Sequence, residues 1–197
     1  MRGWLVLGLL LGWVGAGLAD QEYRWQRTGE DLLWNFTDCY QLKVVDTGAW
    51  GGSYPYRGWF MGWAADDCNT GFAGCDAIFA ARSADLLTWE VYKGGGQWDT
   101  TMNPALWVPV VTAGNTYYDQ WHNGDPSVVW DGSTFWMAFS ATGFDADGIP
   151  DGQTGDRDKD FLCVMGAKST DGLNWTKSAG PLLAKASDYG VREFEGS

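Results

Sequence analysis

Apolar and polar residues in this chain change places over short runs, and past residue 19 they do not recur at helical spacing. Gln41-Leu42-Lys43-Val44-Val45 is short and β-prone, and Tyr56 to Ala64 is rich in aromatics. Asp76 to Arg82 is apolar, and Thr88-Trp89-Glu90-Val91-Tyr92 alternates with period two. A second set then follows. Ser127-Val128-Val129-Trp130 meets Phe135 to Ser140 through Asp131-Gly132, a strong hairpin signal. Phe161 to Ala167 and Trp175-Thr176-Lys177 complete it. Between the sets, residues 94–120 are Gly-rich and then apolar from Pro104 to Val111, too long for a plain turn. Residues 20–34 are polar with scattered aromatics and suit an edge strand that closes a ring. The pattern predicts an all-β protein.

The two sets are a repeat. Trp59-Phe60-Met61-Gly62-Trp63 is echoed by Phe135-Trp136-Met137-Ala138-Phe139 at an offset of 76. Ala81-Arg82-Ser83-Ala84-Asp85-Leu86-Leu87-Thr88-Trp89 is echoed by Ala167-Lys168-Ser169-Thr170-Asp171-Gly172-Leu173-Asn174-Trp175 at 86, so the reading places an insertion of ten between them. Repeated short aromatic strands with Asp-Gly turns predict stacked β-units of the propeller kind. Blade 1 is expected at about 35–93, blade 2 at about 121–178 and the opening of a third at about 188–197. A closed ring needs four or more blades. The expectation is therefore the front portion of a longer propeller, with residues 20–197 as its N-terminal part.

Residues 1–19 read as a secretory signal: Arg2, an apolar run from Leu5 to Val14, and the small-residue site Gly17-Leu18-Ala19. That predicts a secreted, extracellular or periplasmic protein with no membrane contact after cleavage. The remaining residues carry 12 Lys and Arg against 25 Asp and Glu, a charge that repels phosphate backbones and excludes nucleic acid as a partner. Fourteen Trp residues supply flat apolar faces, useful for packing sheets together or for stacking on sugars. In an oxidising compartment the four cysteines favour disulfides. Spacing favours Cys68–Cys75 among the three possible partitions. Zinc is disfavoured, since His122 is the sole histidine and no Cys-x-x-Cys occurs.

Gly124-Asp125-Pro126-Ser127 is the sharpest local signal for chemistry. Proline restricts the residue before it to an extended backbone, so Asp125 is expected at a rigid strand start. Asp-Pro-Ser-Val-Val-x-Asp-Gly before an aromatic strand resembles the second-blade opening of five-bladed propeller glycoside hydrolases. These are the arabinanase, β-xylosidase and arabinofuranosidase family, with its invertase and levanase relatives. The resemblance covers roughly residues 35 to 197 and implies three catalytic acids at the starts of three blades. Asp125 takes the second-blade place, where the family's residue tunes the general acid and orients the sugar. Asp38 takes the first, as base or nucleophile, although Asp38-Cys39 departs from the family's Asp-Pro. Glu195 takes the third, as general acid, in Glu195-Gly196-Ser197, which matches Glu-Gly-Pro at two positions of three. Glu193 is the fallback.

Glycoside hydrolysis needs one protonated carboxyl beside the leaving oxygen and one ionised carboxylate across the ring. Acids sharing one hollow push their pKa values apart, which allows that division. No cofactor is required for the chemistry. The Asp145-Ala146-Asp147-Gly148-Ile149-Pro150-Asp151 loop offers alternating carboxylates around a turn. Asp145, Asp147 and Asp151 are therefore candidate ligands of a structural Ca²⁺. Trp121 and His122 are candidate sugar contacts, and Asn35 and Asn174 head glycosylation sequons. The expected function is hydrolysis of glycosidic bonds in a poly- or oligosaccharide. The rivals are a non-catalytic sugar-binding propeller and a calcium-dependent adhesion protein.

Overall fold

The computed structural model describes residues 40–64, 75–114, 118–120, 122–143 and 161–183. The chain divides into two units, Met1–Asp31 and Leu32–Ser197, and everything described lies in the second. Among the described residues no helix is long and apolar enough to cross a membrane.

The fold is all-β. Strands β1 (Tyr40–Asp46), β2 (Tyr56–Ala64), β3 (Cys75–Ser83), β4 (Trp89–Tyr92) and the short β5 (Trp98–Asp99) form a first antiparallel meander. Strands β6 (His122–Trp130), β7 (Phe135–Gly143), β8 (Phe161–Ser169) and β9 (Thr176–Lys177) form a second. The meanders meet in a single parallel pairing, Asp76 of β3 with His122 of β6.

Alternation along each strand divides the interior in two. Trp59, Ile78 and Ala80 point from the first meander toward the second, where Val128, Phe135, Met137, Phe139 and Met165 receive them. The intervening Phe60, Ala77, Phe79 and Ala81 turn the other way and pack with Trp89, Val91 and Trp107. Two buried faces explain why β3 reads as a continuous apolar run rather than an alternation. Each buried Phe or Ile in these layers contributes roughly 1.5–3 kcal/mol of transfer free energy.

The repeat is clearest in its turns. Ser83 Oγ accepts the amides of Asp85 and Leu86, and Asp85 Oδ1 accepts those of Leu87 and Thr88. Ser169 and Asp171 make the same bonds 86 residues later, to Asp171, Gly172, Leu173 and Asn174. The bridge of Ile78 to Val111 is likewise matched by Val164 to Leu183.

The aromatic echo at 76 is out of register. Trp59 pairs with Ala80, and Ala138 pairs with Gly166, so the second strands correspond at an offset of 79. The difference from the expected alignment is three residues. An odd shift exchanges the faces of a strand, so Trp59 and Phe135 lie on opposite faces of their sheets. Similar aromatic composition produced the false match. The turn hydrogen bonds set the true one.

Candidate functional site

Asp125 lies in β6 at an irregularity, between Gly124 paired with Ser140 and Ser127 paired with Ala138. Its φ is +50°, so it is not the extended pre-proline residue that the sequence predicts. A non-glycine residue in this region costs on the order of 1–2 kcal/mol, and proline next to it adds to the restriction. The bulge sets the backbone, and the carboxylate bonds to the neighbouring strand. Strain of this kind is concentrated at functional positions.

Four side chains are linked here. Ser140 Oγ donates to Asp125 Oδ2 at 2.6 Å and lies 2.7 Å from His122 Nε2. His122 Nδ1 lies 2.7 Å from Asp76 Oδ2. The direct separation of His122 Nε2 and Asp125 Oδ2 is 3.9 Å, beyond hydrogen-bond reach, so the serine makes the connection. The His122 and Asp76 side chains are 18% and 21% exposed, whereas that of Asp125 is 38% exposed and reaches solvent. Gly124 leaves room for the ring: a side chain there would collide with Met61 Sδ and the His122 imidazole.

The electrostatics follow from the contacts. Burial opposes a charge on His122, and the carboxylates of Asp125 and Asp76 overcome it, raising the imidazole pKa to about 9. Asp125 is held below the ordinary carboxylate range by the nearby His122 imidazolium, against the effect of burial and with help from the Ser140 hydrogen bond. The group is thus an imidazolium between two carboxylates, one of which is accessible.

A second polar cluster braces the start of β6. Lys177 Nζ donates to Asp119 Oδ2 at 2.6 Å and to the Thr112 carbonyl. Asn123 donates to the Asp119 carbonyl at 3.1 Å. These bonds tie β9 to the approach to β6 and so help fix His122 and Asp125. Neither described cleft includes Asp125 or His122. One lies on the outer face of the second meander around Val129, Trp136 and Leu182, and the other lies around Asp119 and Lys177.

Of the residues singled out from sequence, the structure describes Asp125, His122, Cys75 and Asn174, and it brings the first two together. Asp38, Glu195, Trp121, Asp145, Asp147, Asp151 and Cys68 lie outside the described residues. Cys75 is disulfide-bonded, and Cys163 is a free, buried thiol. Asp76 and Ser140 were missed. Asp76 reads as the polar edge of an apolar strand, and nothing local pairs it with a histidine 46 positions away. Ser140 carries a faint signal, as a polar residue between Phe139 and Ala141 in an aromatic strand.

The first meander has the same irregularity, between Tyr40 and Lys43, with Gln41 at φ +58°. Tyr40 pairs with Met61 as Gly124 pairs with Ser140. Gln41 and Met61 therefore stand where the second meander has Asp125 and Ser140. The fold supplies the bulge twice, and the second copy alone carries the acid.

The all-β class is the level at which similar proteins can be compared. The sequence matches no family profile and no curated protein. Among solved structures, the chain is similar to a complex of BT0996 with RGII at 18% identity and a TM-score of 0.46, covering 74% of this chain and 34% of that one. It is similar to a glycoside hydrolase at 16% identity and a TM-score of 0.48, covering 83% and 39%. A third, an inferred glycoside hydrolase from Parabacteroides distasonis ATCC 8503, gives 15% identity and 0.47, covering 80% and 36%. The chain spans little more than a third of the length of each. At this identity and overlap the likeness carries no argument about chemistry.

Proposed function

We propose that this chain supplies the first two blades, and the opening of a third, of a secreted five-bladed propeller glycoside hydrolase acting on a poly- or oligosaccharide. The observation that carries this reading is Asp125: a solvent-reaching carboxylate on a strained bulge, kept ionised by its neighbours. Such a group suits the electrostatic half of a paired-carboxylate mechanism and cannot serve as the proton donor. The resemblance to the propeller hydrolases then gives Asp125 the modulator's role, with Glu195 as acid and Asp38 as base or nucleophile.

Counting through the repeat supports those partners. Asp38 precedes Gln41 by three residues, as His122 precedes Asp125. Val111 precedes His122 by eleven residues, and eleven beyond its counterpart Leu183 stands Phe194, next to Glu195. By this count Asp38 answers to His122 and Glu195 to Asn123, each within three residues of the counterpart of Asp125. Trp121 is a proposed sugar contact, and Cys68 the disulfide partner of Cys75. Asp145, Asp147 and Asp151 are proposed ligands of a structural Ca²⁺, for which a chelator should lower the melting temperature.

The test is Asp125→Asn in the complete propeller, assayed on aryl arabinofuranosides and xylosides and by reducing-end release from plant polysaccharides. Turnover should fall about 100-fold or more with the fold intact. Unchanged turnover removes Asp125 from the mechanism. One observation favours a second reading, a sugar-binding propeller without catalysis: Gln41 is a carboxamide where its counterpart is an acid. Calorimetric binding of oligosaccharide without product release would select that reading.

A further inference from the structure

We propose that Asp76, His122 and Ser140 are positioning residues, a relay across the seam between the meanders that holds Asp125 as an oriented anion with one oxygen left for a ligand. The inference deepens the hydrolase reading and rests on it for the role of Asp125. The relay itself rests on geometry.

Donor and acceptor chemistry fixes the direction of every bond. An ionised carboxylate only accepts, and a serine hydroxyl has one proton to give. Ser140 gives that proton to Asp125 Oδ2, so its oxygen accepts from His122 Nε2–H. Asp76 Oδ2 accepts from Nδ1–H. Both ring nitrogens therefore carry hydrogen, and the ring is an imidazolium. The reverse arrangement, with a neutral ring accepting from Ser140, leaves two oxygens 2.6 Å apart with no proton between them unless Asp125 is itself protonated.

Among the described residues, the charged groups that face the ring are Asp76 from β3 and Asp125 from β6 itself, while β7 contributes the Ser140 hydroxyl. These two carboxylates and one imidazolium together carry a net negative charge. Ser140 keeps the cation 3.9 Å from Asp125, so the acid is oriented without being covered by a contact ion pair. Within the described residues Oδ1 of Asp125 has no hydrogen-bond partner, which leaves it to a sugar hydroxyl or to the field felt by a neighbouring acid. A histidine read from sequence as a sugar contact acts instead through the serine.

The experiment exploits His122 being the sole histidine of the chain. Long-range ¹H–¹⁵N spectra of the ¹⁵N-labelled chain should show both ring nitrogens protonated at pH 7, with titration displaced toward pH 9. Asp76→Asn should lower that titration by at least one pH unit. Ser140→Ala should raise the Asp125 carboxyl titration, read by ¹³C, and Ser140→Thr should restore it. An imidazole titrating near its ordinary pH 6.5, or a Ser140→Thr variant that behaves like Ser140→Ala, overturns the relay.

A second arm measures kcat/KM against pH on the aryl glycosides. Ser140→Ala should lose about tenfold, with the acidic limb moved upward by about one unit, and Ser140→Thr should recover both. The arms separate the two claims. Relay signatures together with an Asp125→Asn variant of full turnover, or with no hydrolysis by the complete propeller, sink the hydrolase reading and leave the relay standing. Loss of turnover in Asp125→Asn with an ordinary His122 titration does the opposite.

Discussion

Trp59 donates its indole N–H to the carbonyl of Gly172 at 2.9 Å, joining β2 of one meander to the β8–β9 turn of the other. The same carbonyl accepts from Trp175 at 3.1 Å. One peptide group thus serves its own turn and the neighbouring sheet, and its conformation matters to both. Gly172 has φ +74°, and a Cβ there would sit 2.8 Å from Trp59 Cζ2.

Gly172→Ala should therefore destabilise by roughly 2–4 kcal/mol, summing left-handed strain and the collision with a packed indole. The counterpart in the first meander is Leu86, with φ +67° and 40% exposure. Leu86→Gly should relieve strain there and stabilise by about 0.5–1 kcal/mol. Urea denaturation of both variants checks the pair. Equal signs would show that the turns are not equivalent.

Asp99 is a buried carboxylate satisfied by neutral donors: the Thr101 amide and hydroxyl, the Asn103 amide and the Trp107 indole. Burial works against its charge, and these bonds overcome it, bringing the pKa to about 2. Asp99→Asn points amide hydrogens at donors and should cost about 3 kcal/mol. Because the folded pKa is depressed, the contribution of Asp99 is complete above the ordinary value near 3.8 and is lost as pH falls through about 2. Acid unfolding of the variant should be less steep across that interval.

His122 has the opposite sign. Its folded pKa is raised, so its contribution is complete below pH 6.5 and is lost as pH climbs through about 9. Melting temperatures of the wild type should fall across that window more than those of His122→Gln. A parallel decline in both would mean that the imidazolium contributes nothing to folding.

Cys163 Sγ lies 3.7 Å from the Tyr118 carbonyl, and burial, reinforced by the charge of Asp119, pushes its thiol pKa up to about 12. Alkylation at pH 8 should leave Cys163 unmodified in the folded protein and label it fully in denaturant. Peptide mapping without reduction should recover Cys75 in a cross-linked peptide, with Cys68 as the expected partner.

Strand positions and turns were legible in the sequence because alternation and Asp-Gly signals are local. Register was not. Trp59-Phe60-Met61 resembles Phe135-Trp136-Met137 in composition, and the strand pairing, together with the matching turn bonds of Ser83 and Ser169, shows which residues correspond. The conformation of Asp125 also eluded the sequence, because proline after it argues for an extended backbone while the bulge requires a positive φ. Asp76 and Ser140 became visible only when two distant strands were placed side by side, which no spacing rule reports.

Asp76 belongs to one copy of the repeat, and His122, Asp125 and Ser140 belong to the other. A gene encoding a single copy would encode no such quartet, however well its product folded. The cluster exists only where the two sheets meet: one copy supplies Asp76, and the other supplies the acid on a bulge whose twin carries glutamine. Any deletion that removes either copy abolishes the whole ensemble at once.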